Sequence, residues 1–176
     1  MRITWTAATR IFCAAVFSSM LFLLGGCANG NARTIIDQAP AAQAHYKSLK
    51  IVEVRSGAVV PDDQRNAFRE KLEHRLYNTG SFVKGDDFTL QYTFTEYDPG
   101  SQLGRLFFGV TNADSEANVI VQCTYLTPDG KSLSKAEFTS RLTGGLLVLG
   151  GSAETVLDKA ADKIRDYTAG NFGSGI

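Results

Sequence analysis

Two cysteines carry the thiol chemistry of this 176-residue chain once Cys13 is set aside. Cys27 closes the tetrapeptide Leu24-Gly25-Gly26-Cys27, at the end of an apolar run from Ile11 and directly before a polar, small-residue stretch. Glycines ahead of a thiol let an extended backbone enter a peptidase cleft, with Arg2 and Arg10 supplying the positive start of a secretory signal. Cys123 differs. Alternation in Val119 to Tyr125 places it with Val119, Val121 and Tyr125 on one strand face, with no basic neighbour to lower its pKa, and predicts a buried, inert thiol.

The Cys27 segment resembles a bacterial lipoprotein signal, with Leu24 where such signals favour an aliphatic residue. The resemblance implies a diacylglycerol thioether on Cys27, followed by acylation of the new N-terminal amine. Each buried methylene contributes about 0.8 kcal/mol, so several acyl chains anchor a protein stably where one does not. A transmembrane helix needs roughly 20 apolar residues, and the run from Ile11 to Leu24 is shorter. The expectation is a cleaved signal over 1–26 and a mature chain held by acylated Cys27 in the lipid bilayer. Ala28 follows the cysteine where an aspartate resembles an inner-membrane retention signal, so the expected location is the outer membrane with the domain facing the periplasm.

Removing Arg2 and Arg10 from the 18 basic residues leaves 16 against 18 acidic ones, a net charge of −2. No Lys or Arg run stands out, which argues against a nucleic-acid partner and leaves membrane attachment to the lipid. Cys123 would be the sole free thiol of the mature chain, so no internal disulfide is expected.

Other chemistry-bearing residues are scattered. His45 and His74 lie far apart, no Cys or His pair has metal-ligand spacing, and Asp62-Asp63 and Asp86-Asp87 sit in turn-like contexts. Gly150-Gly151-Ser152 precedes a helical pattern without the Lys-Ser or Lys-Thr pair of a phosphate loop, and Ser152 lacks the following glycine of a nucleophile elbow. No cofactor or metal and no catalytic residue is assigned. Arg105 is the charged residue inside the apolar stretch Leu103 to Val110, where it can clamp a carboxylate or hold a ligand anion.

The elements that must position these residues follow from periodicity. Residues 27–46 are rich in Ala, Asn and Gln without a sustained period and predict a flexible tether. Leu49 to Val54 predicts a strand, and Pro61-Asp62-Asp63 offers an N-cap and acidic first turn to a helix ending near Asn78. Phe68, Leu72 and Leu76 form its apolar stripe, with Arg65, Arg69, Glu70, Glu73 and His74 on the opposite face. Phe82-Val83 predicts a short strand. Phe88, Leu90, Tyr92 and Phe94 alternate with polar residues, the pattern of an antiparallel sheet covered on one side. Asn118 to Leu126 and Ser132 to Leu142 predict a hairpin around Thr127-Pro128-Asp129-Gly130. The last helix carries Val156, Ala160, Ile164 and Tyr167 and ends at Ala169-Gly170, leaving 170–176 as a frayed tail.

The expected fold is α+β, an antiparallel sheet of about five strands with two helices packed on one face, in a single domain over 47–169. Its core is expected to hold Phe68, Leu72, Leu76, Tyr92, Phe94, Val121, Leu157 and Ile164. The glycine-bracketed segments Leu103 to Val110 and Leu146 to Leu149 fit neither period. They supply the candidate interaction surface: Leu103, Arg105, Phe107, Phe108, Leu146 and Leu147.

The region from about Leu49 to Tyr167 resembles a family of bacterial lipoproteins defined by domain of unknown function 4410. The resemblance rests on Gly104-Arg105-Leu106 with Gly109, the Asp129-Gly130 hairpin, Gly144-Gly145, Gly150-Gly151-Ser152 and the Ala-rich final helix. Val110-Thr111-Asn112-Ala113-Asp114 is bulkier and more polar than the family pattern. The resemblance implies a periplasm-facing α+β domain without an established reaction. The leading functional expectation is a membrane-tethered, non-catalytic adaptor that binds an envelope protein or polymer. The alternative is an envelope hydrolase whose site assembles from scattered residues.

Overall fold

The computed structural model describes residues 30–40, 45–100, 117–142 and 153–173. In chain order the elements are β1 (Gly30–Gln38), β2 (Ser48–Glu53), α1 (Asp62–Tyr77), β3 (Val83–Lys84), β4 (Phe88–Asp98), β5 (Ala117–Leu126), β6 (Ser132–Leu142) and α2 (Ala153–Phe172). They build one six-stranded sheet in the order β1-β6-β5-β4-β2-β3.

The central strands follow the alternation of the sequence. Phe88, Leu90, Tyr92 and Phe94 of β4, Val121, Cys123 and Tyr125 of β5, and Ala136 and Phe138 of β6 are all buried. Polar residues between them, such as Gln91, Gln122 and Glu137, are only partly covered. The β5–β6 turn forms as its residues dictate: Gly130 adopts φ 82°, and Thr127 Oγ1 accepts a 3.0 Å bond from the Lys131 amide.

Both helices lie on the buried face. α1 contributes Phe68, Leu72 and Leu76, and α2 contributes Val156, Leu157, Ala160, Ala161, Ile164 and Phe172 to the same core. All eight core residues anticipated from the sequence are buried. The helices run parallel, as the ladder of ion pairs between them shows: Lys71 meets Glu154 and Asp158, and Arg75 meets Asp158 and Asp162. Acidic residues at every fourth position of one helix thus face basic residues at the same spacing on the other.

Several expectations need correction. The six strands among the described residues fit the expected number of about five, but the sheet is mixed rather than antiparallel: β4–β5, β5–β6 and β1–β6 are antiparallel, while β2 runs parallel to β4 and β3. α1 is the cause, because it carries the chain back to the starting end of β2, so the next long strand must run the same way. The chain then passes from one side of β2 to the other around Ser48. Asp87 Oδ2 accepts bonds from the Ser48 and Lys47 amides at 2.9 and 3.3 Å, and the Asp87 amide donates to Ser48 Oγ at 3.1 Å. These bonds hold the Asp87 carboxyl below the usual carboxylate range. A Cβ at Gly85 would stand 2.4 Å from Ser48 Oγ, so only glycine fits this passage.

The stretch expected as a tether contains β1, paired with β6 from Gly30↔Leu142 to Gln38↔Lys135. None of Asn31 to Gln38 is buried, so the strand is held by backbone pairing and leaves no apolar period to read. The expected tail likewise folds. α2 continues through Gly170 to Phe172, whose ring lies 4.8 Å from Tyr125 and 5.4 Å from Phe88. Tyr46 donates its amide to the Phe172 carbonyl at 2.9 Å and stacks on Phe88 at 4.8 Å, so both ends of the expected domain extend into the folded unit. At α1 the N-cap is Pro61 without a side-chain cap; Asp62 and Asp63 serve the first turn instead.

Candidate interaction surface

Cys27, Leu103, Arg105, Phe107, Phe108, Leu146 and Leu147 lie outside the described residues, as does Ser152. The described residues that flank them are brought together by strand register. Gly30 pairs with Leu142, Leu142 pairs with Ala117, and Asn118 pairs with Asp98. The start of β1, the start of β5 and the ends of β4 and β6 therefore share one end of the sheet. The apolar segments at 103–110 and 146–149 depart from that end in sequence, after Asp98 and Leu142 respectively. Tyr46 and Gly173 bridge at the opposite end.

Arg65 is the residue the helical pattern misplaced. Expected on the exposed face of α1, it stands three residues before Phe68 and so points with the apolar stripe, 9% exposed. Its Nη1 pairs with Glu53, its Nε donates to the Val60 carbonyl at 3.1 Å and its Nη2 to the Ala58 carbonyl at 3.2 Å. The guanidinium also lies 5.8 Å from the Phe94 ring centre. Tyr92 Oη donates to the other Glu53 oxygen at 3.4 Å, and burial pushes the Tyr92 hydroxyl pKa far up. This cluster fixes the β2–α1 loop, which Ser56 further ties to β4 by donating from Oγ to the Phe94 carbonyl. An Arg placed at helical spacing with an apolar stripe, twelve residues from a Glu at a strand end, was the signal available in sequence.

Burial pushes the Cys123 thiol far up, so the reactive thiolate is suppressed as the sequence pattern predicts. His74 is exposed on α1. His45 is exposed and bonds through Nδ1 to the Gly173 carbonyl at 2.8 Å. Burial pushes Tyr77 up to about 12, and its hydroxyl donates to the Leu49 carbonyl at 2.9 Å. Among the described residues no group of three or more His, Cys, Asp or Glu side chains could hold a metal ion. No described helix is long and apolar enough to cross a membrane.

No protein-family model matches the chain, and no curated protein does. Membership of the family defined by domain of unknown function 4410 is therefore not established. Solved structures share the fold. Protein XCC0632 from Xanthomonas campestris, of family model DUF330, aligns with TM-score 0.51 and 9% identity over 78% of this chain and 93% of its own. The PelC dodecamer from Paraburkholderia phytofirmans aligns with TM-score 0.50 and 14% identity over 77% of this chain and 95% of its own. At these identities the likeness establishes the α+β architecture and carries no site residue across.

Proposed function

We propose that this chain is a membrane-anchored envelope lipoprotein acting as a non-catalytic binding module, a reading in keeping with its resemblance to the family of domain of unknown function 4410. Acylated Cys27 holds it in the outer membrane with the folded domain in the periplasm. The surface formed by Leu103, Arg105, Phe107, Phe108, Leu146 and Leu147 engages an envelope protein or polymer.

The observation that carries this reading is the convergence of Gly30, Ala117 and Leu142 at one end of the sheet. Gly30 stands three residues after Cys27, and three extended residues span at most about 11 Å. A lipid on Cys27 therefore keeps this end of the sheet close to the bilayer rather than at the end of a long leash. The two apolar segments leave the sheet at this same end, which favours their acting together and near the membrane.

Replacing Cys27 with Ser tests the anchor. Radiolabelled acyl chain enters the wild-type protein only, and the variant leaves the membrane fraction; a labelled variant, or a cleaved variant that stays in membranes, refutes the anchor. The surface is tested by Phe107→Ser and Leu147→Ser, separately, with cross-linking in the native host. Loss of cross-linked partners at an unchanged denaturation midpoint supports the surface. A collapse in stability with an unchanged partner set assigns these residues to the core.

A further inference from the structure

We infer that β1 is a releasable strap: docked on β6 it holds the domain close to the bilayer, and undocked it lengthens the tether while the rest of the domain stays folded. β1 supplies no member of the hydrophobic core, and none of Asn31 to Gln38 is buried. Ladder hydrogen bonds to β6 therefore carry the strand, and a segment held in this way opens at far lower free energy than a core strand. β6 keeps its other neighbour when β1 leaves, because β5 pairs with it from Ala117↔Leu142 to Leu126↔Ser132. Among the described residues, the side-chain bonds that reach β1 gather at Gln38. Its carbonyl accepts from Ser134 Oγ at 2.7 Å and its Oε1 from Ser132 Oγ at 2.9 Å, while Ser134 Oγ accepts from Tyr167 Oη at 2.7 Å. This latch ties the end of the strap to α2, just past the register shift between Ile36 and Gln38.

The two ends of the strap give its release a consequence. Gly30 stands three residues after Cys27, so the docked strand keeps the Leu142 end of the sheet within about 11 Å of the acylated residue. Tyr46 marks where the chain rejoins the core: its amide donates to the Phe172 carbonyl at 2.9 Å and its ring stacks on Phe88 at 4.8 Å. Undocking therefore stops at Tyr46. The tether then runs the 19 residues from Cys27 to Tyr46, at most about 65 Å when extended, and attaches at the opposite end of the sheet. The end carrying Ala117 and Leu142 is then free to leave the membrane. This gain in reach rests on the Cys27 anchor proposed above; the opening of β1 does not.

The test uses the full-length chain, in detergent and in membranes of the native host. In hydrogen exchange read by mass spectrometry, the amides of Asn31 to Gln38 exchange about tenfold or more faster than those of Val119 to Tyr125, through an opening that leaves β5 protected. Ile35→Cys with Glu137→Cys puts two thiols at directly paired positions, a spacing that suits a disulfide, and mild oxidation joins them. Oxidation of this variant brings β1 exchange down toward that of β5, and reduction restores the wild-type rate. On membranes, trypsin cuts after Arg33 when β1 is undocked. It releases a folded fragment beginning at Thr34 from wild type and from the reduced variant, but not from the oxidised one. β1 amides that exchange together with β5, β1 amides with no protection in the folded chain, paired thiols that fail to join, or trypsin release unchanged by oxidation overturns the inference. A wild-type chain absent from membranes before trypsin overturns the anchor alone, since β1 exchange is read on the same protein in detergent.

Discussion

The guanidinium of Arg65 lies against the carboxylate of Glu53, joining the first turn of α1 to the end of β2 with both side chains more than four-fifths covered. The same guanidinium binds the carbonyls of Ala58 and Val60, so one side chain organises the strand end, the loop and the helix start. Removing it would leave a largely covered carboxylate without its counter-charge. Arg65→Ala is expected to destabilise the domain by about 3 kcal/mol, and Arg65→Ala with Glu53→Gln by less than the sum of the single changes. Urea denaturation midpoints of the four proteins check this.

Phe172 belongs to the core despite its place near the C-terminus. Phe172→Ala is expected to cost about 3 to 5 kcal/mol, because it empties a space walled by Phe88, Tyr125 and Tyr46. An unchanged thermal midpoint would return this residue to a peripheral tail.

The passage around Ser48 gives a steric prediction. Gly85→Ala forces a methyl group against Ser48 and is expected to destabilise by about 1 to 3 kcal/mol. Ser48→Gly in the same chain removes the opposing side chain and should recover part of that loss, although it also gives up the bond to Asp87.

Acid sensitivity follows from Glu73, which accepts bonds from Lys84 and Arg69 that together lower its pKa below the ordinary carboxylate value. A depressed folded pKa stabilises the domain above the unfolded pKa, and that stabilisation is lost as pH falls through the folded pKa. Glu73→Gln should therefore lower stability near neutral pH and flatten its decline on acidification below the carboxylate range. Parallel pH profiles of wild type and variant would contradict this linkage.

Burial patterns were legible in the sequence because each long element has one face in the core. Phe88 to Phe94 alternate, and Phe68, Leu72 and Leu76 recur at helical spacing, since side chains that must leave water impose their period on the chain. The hairpin at Asp129-Gly130 was legible for a local reason, the positive φ that Gly130 supplies. Residues whose placement depends on a distant partner were not legible. β1 is a strand because β6 offers it an unpaired edge, Arg65 is inside because Glu53 meets it there, and Phe172 is core because Tyr46 returns beside it. The sequence by itself determined which faces are apolar, where the turns fall and that Cys123 is inert. Only the tertiary structure decided strand order and direction, the partners of charged groups and the meeting of Gly30, Ala117 and Leu142 at one end. Periodicity reports what a residue avoids, water, whereas pairing across the sheet depends on which backbone and charge remain to be satisfied after the chain has closed on itself.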